Sequence, residues 1–384
     1  MTNTLLFVSR AFPPILGGIE NQNRGLVTAL SARVPTVSII NRHGKRALPL
    51  FLPWALMRML WCARRHHVVL LGDGVLAPLG AIVKLLSPRV RVFAVVHGLD
   101  VTYASRPGLI SKGYRLLNIP SLRCLDGLIA VGRETVEAAV RAGVSRTSIH
   151  FIPNGIFAAE YNHEPAREEL EDLLGETLAE RRIVLCVGRF VARKGVEWFI
   201  RNVLPDLPKS VLFIAAGAAP TPTAFGDAGY LATCRRAAVE THQAARVRFL
   251  VNLPTQDLKI ILASADLVVM PNIAIAGTIE GFGLTAIEAG AMGRVVLAAD
   301  LEGLRDAIQD GQNGVLLPSK EPERWVRTIT EWLNDEPRRA FFGSAARAYV
   351  RVNFEWKNIA GRYLDVLYSP DLGQRVDSNH GSRS

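Results

Sequence analysis

Cysteine is scarce in this chain and badly placed for either bridging or metal binding. Cys62, Cys124, Cys186 and Cys234 lie far apart, with no Cys-x-x-Cys pair. That argues against a disulfide frame or a zinc site and fits reduced, buried thiols in a cytoplasmic protein. Long apolar runs are missing too. The one membrane suspect, ALPLFLPWALMRMLWCA at residues 47–63, contains two prolines and carries Arg58 in its middle. It is shorter than the roughly 20 residues a spanning helix needs. An amphipathic helix packed in a cleft or lying on a bilayer surface remains open for it. Met1 leads within three residues into the strand-like LLFV with no basic leader, so no signal peptide is expected. Nucleotide loops are absent as well. GDGVLAPLGA (72–81) has its glycines at the wrong spacing, SRAFPPILGGIE (9–20) carries only a pair, and there is no Walker A lysine loop. A dinucleotide dehydrogenase and a P-loop kinase are thereby disfavoured. Zinc-finger spacing, an RNP-like aromatic strand and a continuous Lys/Arg run are also lacking, so nucleic acid is not an expected partner.

Acidic residues are few in the first part of the chain. Residues 1–160 hold 19 Lys and Arg against 7 Asp and Glu, whereas the remainder holds 26 against 28. The whole basic excess of the +10 chain therefore sits in one region. Such an asymmetry suits an anionic partner such as an acidic membrane surface or a phosphorylated acceptor, and it also suits a merely well-solvated surface.

At 384 residues with 49% hydrophobic and 21% charged residues, the chain reads as a globular protein of two domains. Ten short apolar runs alternate with helical segments: TLLFVS, TVSII, HVVLLG, VRVFAVV and GLIAVG, then RIVLCVG, SVLFIAAG, RVRFL, DLVVMP and RVVLAA. Strands apolar on both faces and separated by helices predict parallel sheets covered by helices. Two such series predict an α/β fold of two doubly wound, Rossmann-like domains. The polar, highly charged stretch after IPNG places the boundary at about residue 165, giving domains 1–165 and 166–350. A late amphipathic helix follows within 351–368, and residues 369–384 read as a small, polar tail.

In open α/β sheets ligands sit beyond the carboxyl ends of the strands, and the unusual residues cluster there. After DLVVMP comes IEGFGLTAIEAGAM, with Glu280 and Glu288 eight positions apart. Gly281 and Gly283 flank Phe282 ahead of a helix. The first-turn amides at Gly283, Leu284 and Thr285 would form an anion site suited to phosphate. Glu288, one turn into the helix, can accept from a hydroxyl pair such as a ribose, and Glu280 can do the same for a sugar ring. By itself the pattern also fits a capping Glu280 and a solvated Glu288. After RIVLCVG, Gly188 is followed by Arg189, Arg193, Lys194 and Gly195 in one loop. These can clamp a pyrophosphate, or simply form a solvated basic loop. Gly17-Gly18 follows the first strand and could present backbone amides to a phosphate. His97 ends the strand VRVFAVV with Asp100 close by; it can bond a sugar hydroxyl or pack as a core histidine. Asn154 in IPNG reads as a structural turn.

Taken together, these motifs resemble the large family of retaining, nucleotide-sugar-dependent glycosyltransferases called family 4, of the GT-B fold. Gly17-Gly18, His97, IPNG, Gly188-Arg189 with Lys194-Gly195, and Glu280 with Glu288 occur in the family's order over about residues 5–368, with NGVLL (313–317) and the late FEW helix besides. The resemblance implies two domains facing across a cleft, an acceptor held by the first and a nucleotide-diphosphate sugar held by the second, with the last helix crossing back to the first. It implies that Arg189 and Lys194 neutralise the departing diphosphate, Glu288 holds the ribose and Glu280 the transferred sugar, with His97 near the sugar and Gly17-Gly18 near the phosphate. It also implies retention by same-face attack, with no cofactor and no metal. The link 272–279 (NIAIAGTI) is longer than the family's usual one. The expected activity is hexose transfer to a hydroxyl of a lipid-linked or envelope polysaccharide acceptor. The expected setting is the cytoplasm, peripheral on the inner face of an anionic membrane. The alternative is a nucleotide-sugar epimerase on the same frame.

Overall fold

The computed structural model describes residues 4–15, 17–105, 108–162, 167–219 and 229–369. The chain divides into two compact units. One runs to Ile156 and takes in the segment from Phe354 onward; the other is Phe157–Asn353. The expected boundary near 165 falls outside the described residues, as does the expected tail 369–384 apart from Ser369.

All ten apolar runs form strands. In the first unit these are β1 (Leu5–Ser9), β2 (Thr36–Ile40), β3 (Val68–Leu71), β4 (Arg91–Val96) and β5 (Gly127–Ala130), joined by β6 (Ile149–Phe151). In the second they are β7 (Arg182–Val187), β8 (Val211–Gly217), β9 (Val247–Val251), β10 (Leu267–Met270) and β11 (Val295–Ala299), joined by β12 (Val315–Leu317). Both sheets are parallel and six-stranded, in the orders β2-β1-β3-β4-β5-β6 and β12-β11-β10-β7-β8-β9. Among the described residues this is the expected doubly wound α/β fold, twice over. The central strands are buried on both faces, as covering by helices on both sides requires. β6 and β12 were not among the predicted runs. Each is a three-residue edge strand, too short to stand out as an apolar run.

In the first unit the helices Leu48–Cys62, Ala77–Leu86, Leu109–Cys124 and Arg133–Arg141 all serve crossovers that step in one direction along the sheet. Right-handed crossovers therefore put them on one face. Their buried residues share a core with Leu6, Val8, Val69, Leu71, Val92 and Ala94 of the strands. The crossover Gly18–Ser31 steps the other way and lies on the opposite face. There it packs against the last helix, Trp356–Tyr368. The Trp356 indole is wedged so closely that a Cβ on Gly25 would stand 2.2 Å from its Nε1, and one on Gly155 2.7 Å from its Cδ2. The amide of Ile156 donates to Phe354 O (2.8 Å) and that of Trp356 to Ile156 O (2.9 Å). The segment predicted as one helix over 351–368 is thus broken at Phe354–Glu355, where the chain joins the first unit.

Candidate functional site

The order of the second sheet reverses between β7 and β10: one series of strands continues outward from each. A crevice opens beyond the carboxyl ends of two strands at such a switch point, and the loops that follow these two strands hold the second unit's predicted residues. Gly188 leaves β7 with φ 155°. A Cβ there would stand 2.9 Å from Lys194 Cε, so the bare glycine lets the lysine lie across the strand end. Gly195 has φ 68°, and a Cβ on it would fall 1.8 Å from Pro271 O. Only glycine allows the β7 loop to press this closely on the end of β10. The two loops are tied by the amide of Ile273 donating to Arg193 O at 2.9 Å.

Glu280 sits where they meet. Its Oε2 accepts from Lys194 Nζ at 2.7 Å and from Asn272 Nδ2 at 2.9 Å, and the Arg193 guanidinium makes a third contact. Burial would push this carboxyl up, but Lys194 and Arg193 outweigh it and hold it at about 2. The backbone is pinned as well. Glu280 N donates to Glu302 Oε2 at 2.5 Å, and Gly303 N donates to Glu280 O at 3.0 Å. Glu280 is therefore an ionised, clamped carboxylate and not a helix cap.

The helix Leu284–Ala291 begins at Gly283 (φ 141°) with no side chain capping it. The Ala286 amide donates to Gly283 O at 2.9 Å, while those of Leu284 and Thr285 have no acceptor within the helix. Phe282 and Thr285 are buried beside it. Glu288 is largely buried, not solvated. Burial raises its carboxyl above the usual range, opposed by a hydrogen bond from Tyr161 OH (3.0 Å) and by the charges of Lys259 and Lys194. Lys259 lies 5.3 Å over the Tyr161 ring. The unit therefore brings together Gly188, Lys194 and Glu280 at the strand ends. Glu288 lies within reach of Lys194's field. Arg189 is exposed at the end of β7, and Arg193, its neighbour in the basic loop, is the second cation on Glu280.

The first sheet has its own switch point, between β1 and β3. Arg10 Nε donates to Asp73 Oδ1 at 3.0 Å, as does Val75 N. Asp73 is fully buried, and burial pushes its carboxyl up against the pull of Arg10, with the charge of Asp100 adding to the rise. His97 follows β4. Its Nε2 lies 3.1 Å from Gly72 O; a carbonyl only accepts, so Nε2 carries a proton. Its amide and that of Gly74 both donate to Asp100 Oδ2, at 3.1 and 3.0 Å. Gly17 precedes the helix that Gly18 opens. The Glu20 carboxylate folds back so far that a Cβ on Gly17 would be 2.1 Å from its Oε2. The carboxylate thus lies against the start of the helix, where a hydrogen bond from its own backbone amide favours the charged form. Burial raises Glu20 above its ordinary range.

Sequence reasoning missed Asn272, Glu302 and Tyr161 in the second unit, and Arg10, Asp73 and Glu20 in the first. Arg10 directly follows β1 and Asp73 comes two residues after β3, which was a usable signal. Glu302 and Tyr161 carry none in their local sequence.

Residues 173–349 match the family described as glycosyl transferases group 1, and residues 15–155 match a glycosyl transferase 4-like domain. The chain is 27% identical to the GDP-mannose-dependent alpha-(1-6)-phosphatidylinositol monomannoside mannosyltransferase of Mycobacterium tuberculosis, over 96% of this chain and 99% of that one. It is 25% identical to the GDP-mannose-dependent monoacylated alpha-(1-6)-phosphatidylinositol monomannoside mannosyltransferase of Corynebacterium glutamicum, over 95% and 97%. Among solved structures, Anabaena Alr3699/HepE in complex with UDP has a TM-score of 0.74 at 21% identity, covering 95% of this chain and 100% of that one; at that identity the likeness speaks for the fold. With a match in each unit and the same architecture along the whole chain, the protein belongs to the family 4 glycosyltransferases of the GT-B fold, the glycosyl transferases group 1.

Proposed function

We propose that the protein transfers a hexose, with retained stereochemistry and without a metal, from a nucleotide-diphosphate sugar to a hydroxyl of a lipid-linked envelope glycan or glycolipid. Mannose from GDP-mannose is the first donor to test. Both full-length relatives use GDP-mannose and act on a phosphatidylinositol mannoside.

The observation that carries this reading is the Lys194–Glu280 pair at the β7/β10 switch point, in the same unit as a helix whose N-terminus no side chain caps. Cleaving a sugar–phosphate bond builds negative charge on the departing phosphate. Cations and helix amides aimed at that charge stabilise the transition state, each such contact being worth about 3 kcal/mol. In this reading Lys194, with Arg189, takes the diphosphate, helped by Gly188 and the amides from Phe282 to Thr285. Glu280, released from Lys194 when the phosphate arrives, accepts from the transferred sugar's hydroxyls, and Glu288 accepts from the ribose. The first unit takes the acceptor, and its His97, Gly17 and Gly18 are assigned to the sugar and phosphate. The leaving phosphate receives the acceptor's proton, so no enzymic base is assigned.

The test is a thermal-shift screen over GDP-, UDP- and ADP-sugars. Transfer of the labelled sugar from the best binder to phosphatidylinositol mannosides is then followed, with and without a chelator. A ligand at 100 times its dissociation constant adds about 2.7 kcal/mol to the unit that holds it. A screen in which no nucleotide sugar raises the unfolding temperature would overturn the proposal.

A further inference from the structure

Exposed large apolar side chains are not scattered over this protein. Of the 16 among the described residues, 11 lie on three helices of the first unit. Leu48–Cys62 exposes Leu50, Trp54, Met57 and Trp61; Ala77–Leu86 exposes Ile82, Leu85 and Leu86. Leu109–Cys124 exposes Leu109, Ile110, Leu116 and Leu117, between 63% and 85%. The three helices lie on the same face of the sheet, with Ala77–Leu86 packed against both of the others. Their outward sides therefore lie side by side and gather these eleven apolar side chains on one face, and exposed apolar area concentrated in this way marks an interaction site. The sequence had pointed only to the first of them.

Charge identifies what covers it. Residues 21–132 contain 15 Lys and Arg but only three acids, Asp73, Asp100 and Asp126. All three are spent internally. Asp73 and Asp100 are buried, and Asp126 accepts from Lys84 Nζ at 2.6 Å and Val92 N at 2.7 Å. The exposed charges on the three helices and their flanking chain, among them Arg46, Arg58, Arg64, Arg65, Lys112 and Arg115, are therefore all positive, and the acids of the fourth helix on this face, Glu134 and Glu137, are each paired with an arginine, Arg141 and Arg146. Trp61 lies between two of them, with the Arg58 and Arg65 guanidinium carbons 5.1 and 5.3 Å from its ring. A second copy of this chain would set cations against cations. A bilayer carrying anionic headgroups complements both properties: acyl chains take the leucines, and the headgroup layer takes tryptophan and arginine. No described helix is long and apolar enough to cross a membrane, so the contact is interfacial.

We propose that the outer face of these three helices docks on, and partly inserts into, an anionic lipid bilayer. The lipid-linked acceptor reading gives this contact a purpose. The contact itself is measured without donor or acceptor, so vesicle binding and sugar transfer can fail separately.

The full chain is sedimented with phosphatidylglycerol–phosphatidylcholine vesicles and with phosphatidylcholine alone, at low and high salt. Binding is expected only on the anionic vesicles and is expected to weaken with salt. Each cation near such a surface is worth about fivefold, so Arg58→Gln/Lys112→Gln/Arg115→Gln should bind about a hundredfold more weakly. Leu116→Ser/Leu117→Ser should lose insertion but retain part of the salt-sensitive association. Brominated acyl chains should quench tryptophan emission, and the quenching should shrink in Trp54→Phe/Trp61→Phe. All three variants alter exposed side chains and should keep the parent's unfolding temperature. Absent binding, or equal binding to neutral and anionic vesicles, overturns the proposal. So does a concentration-dependent dimer in light scattering that Leu116→Ser/Leu117→Ser abolishes, since a second copy would then cover the face.

Discussion

The two units carry polar clusters at the same topological place, beyond the strand ends where the sheet order reverses, yet they treat a buried carboxylate in opposite ways. In the second unit Glu280 faces two cations and an amide donor and is held at about 2. In the first, Asp73 faces one cation, Arg10, with Asp100 nearby, and its carboxyl is raised. Burial pushes both up. What differs is the number of compensating charges, and two suffice where one, opposed by a like charge, does not. The first unit's cluster ties β1 to β3, whereas the second unit's pair holds charge of both signs that a ligand can claim.

The largest effect should come from removing one of those two cations. Lys194→Ala is expected to lower kcat by roughly a hundred- to a thousandfold, the loss typical of one contact to a developing negative charge. Arg10→Ala, the matching change at the other cluster, should act mainly through stability and leave donor affinity unchanged. Steady-state kinetics and donor titration on both variants check this. A Lys194→Ala protein that transfers sugar as well as its parent would remove the diphosphate role.

The pH dependence of stability should separate the clusters next. Glu280 has its folded pKa below the ordinary value of 4.5. Its contribution is therefore present above that value and lost as pH falls towards about 2. The size is about 3 kcal/mol. Glu280→Gln should abolish this part of the acid destabilisation in the second unit. Calorimetry between about pH 3 and 6, within reach of that window, measures it. An unchanged slope on acidification would mean that the two cations do not hold the carboxylate.

Asp73 has the opposite sign. With the folded pKa raised, its contribution is fully present below the ordinary carboxyl range and is lost as pH rises through the folded value. Asp73→Asn keeps an acceptor for Arg10 and Val75. The variant should therefore become relatively more stable than the parent as pH rises. A variant that instead gains on acidification would reverse the assignment of the two clusters.

How much of this was legible in the sequence follows from the range of each interaction. The ten central strands were readable because burial on both faces writes an apolar block into consecutive residues. Ile149–Phe151 and Val315–Leu317 sit at sheet edges; the first is interrupted by His150, and the second, though apolar throughout, is only three residues long. Lys194 and Glu280 could be picked out because a glycine and a charge after a strand form a local signal. That they would meet each other could not be seen, since the contact joins two loops through the fold. Tyr161 and Glu288 are 127 positions apart, and the tyrosine stands in a stretch with no motif. Asp73 stands in a loop whose visible feature is its glycines, and its partner Arg10 is 63 positions away.

The smallest effect concerns that tyrosine, and it tests whether the second unit's other carboxylate is tuned as the first unit's is. Glu288 resembles Asp73 more than Glu280: burial raises it, and the main opposing influence is one hydrogen bond, from Tyr161. Tyr161→Phe removes that bond, so the carboxyl should rise further. If Glu288 accepts from the ribose as a carboxylate, donor affinity falls as it becomes protonated. The midpoint of that loss should then move to higher pH in the variant. Well above the midpoint the affinity should change by no more than about fivefold, the worth of one hydrogen bond, since the ribose hydroxyls can occupy the acceptor the phenol has left. Titration calorimetry with the nucleoside diphosphate across pH reads both quantities. A midpoint that stays in place would show that Tyr161 does not set the ionisation of Glu288, and a midpoint that moves down would show that the phenol favours its protonated form.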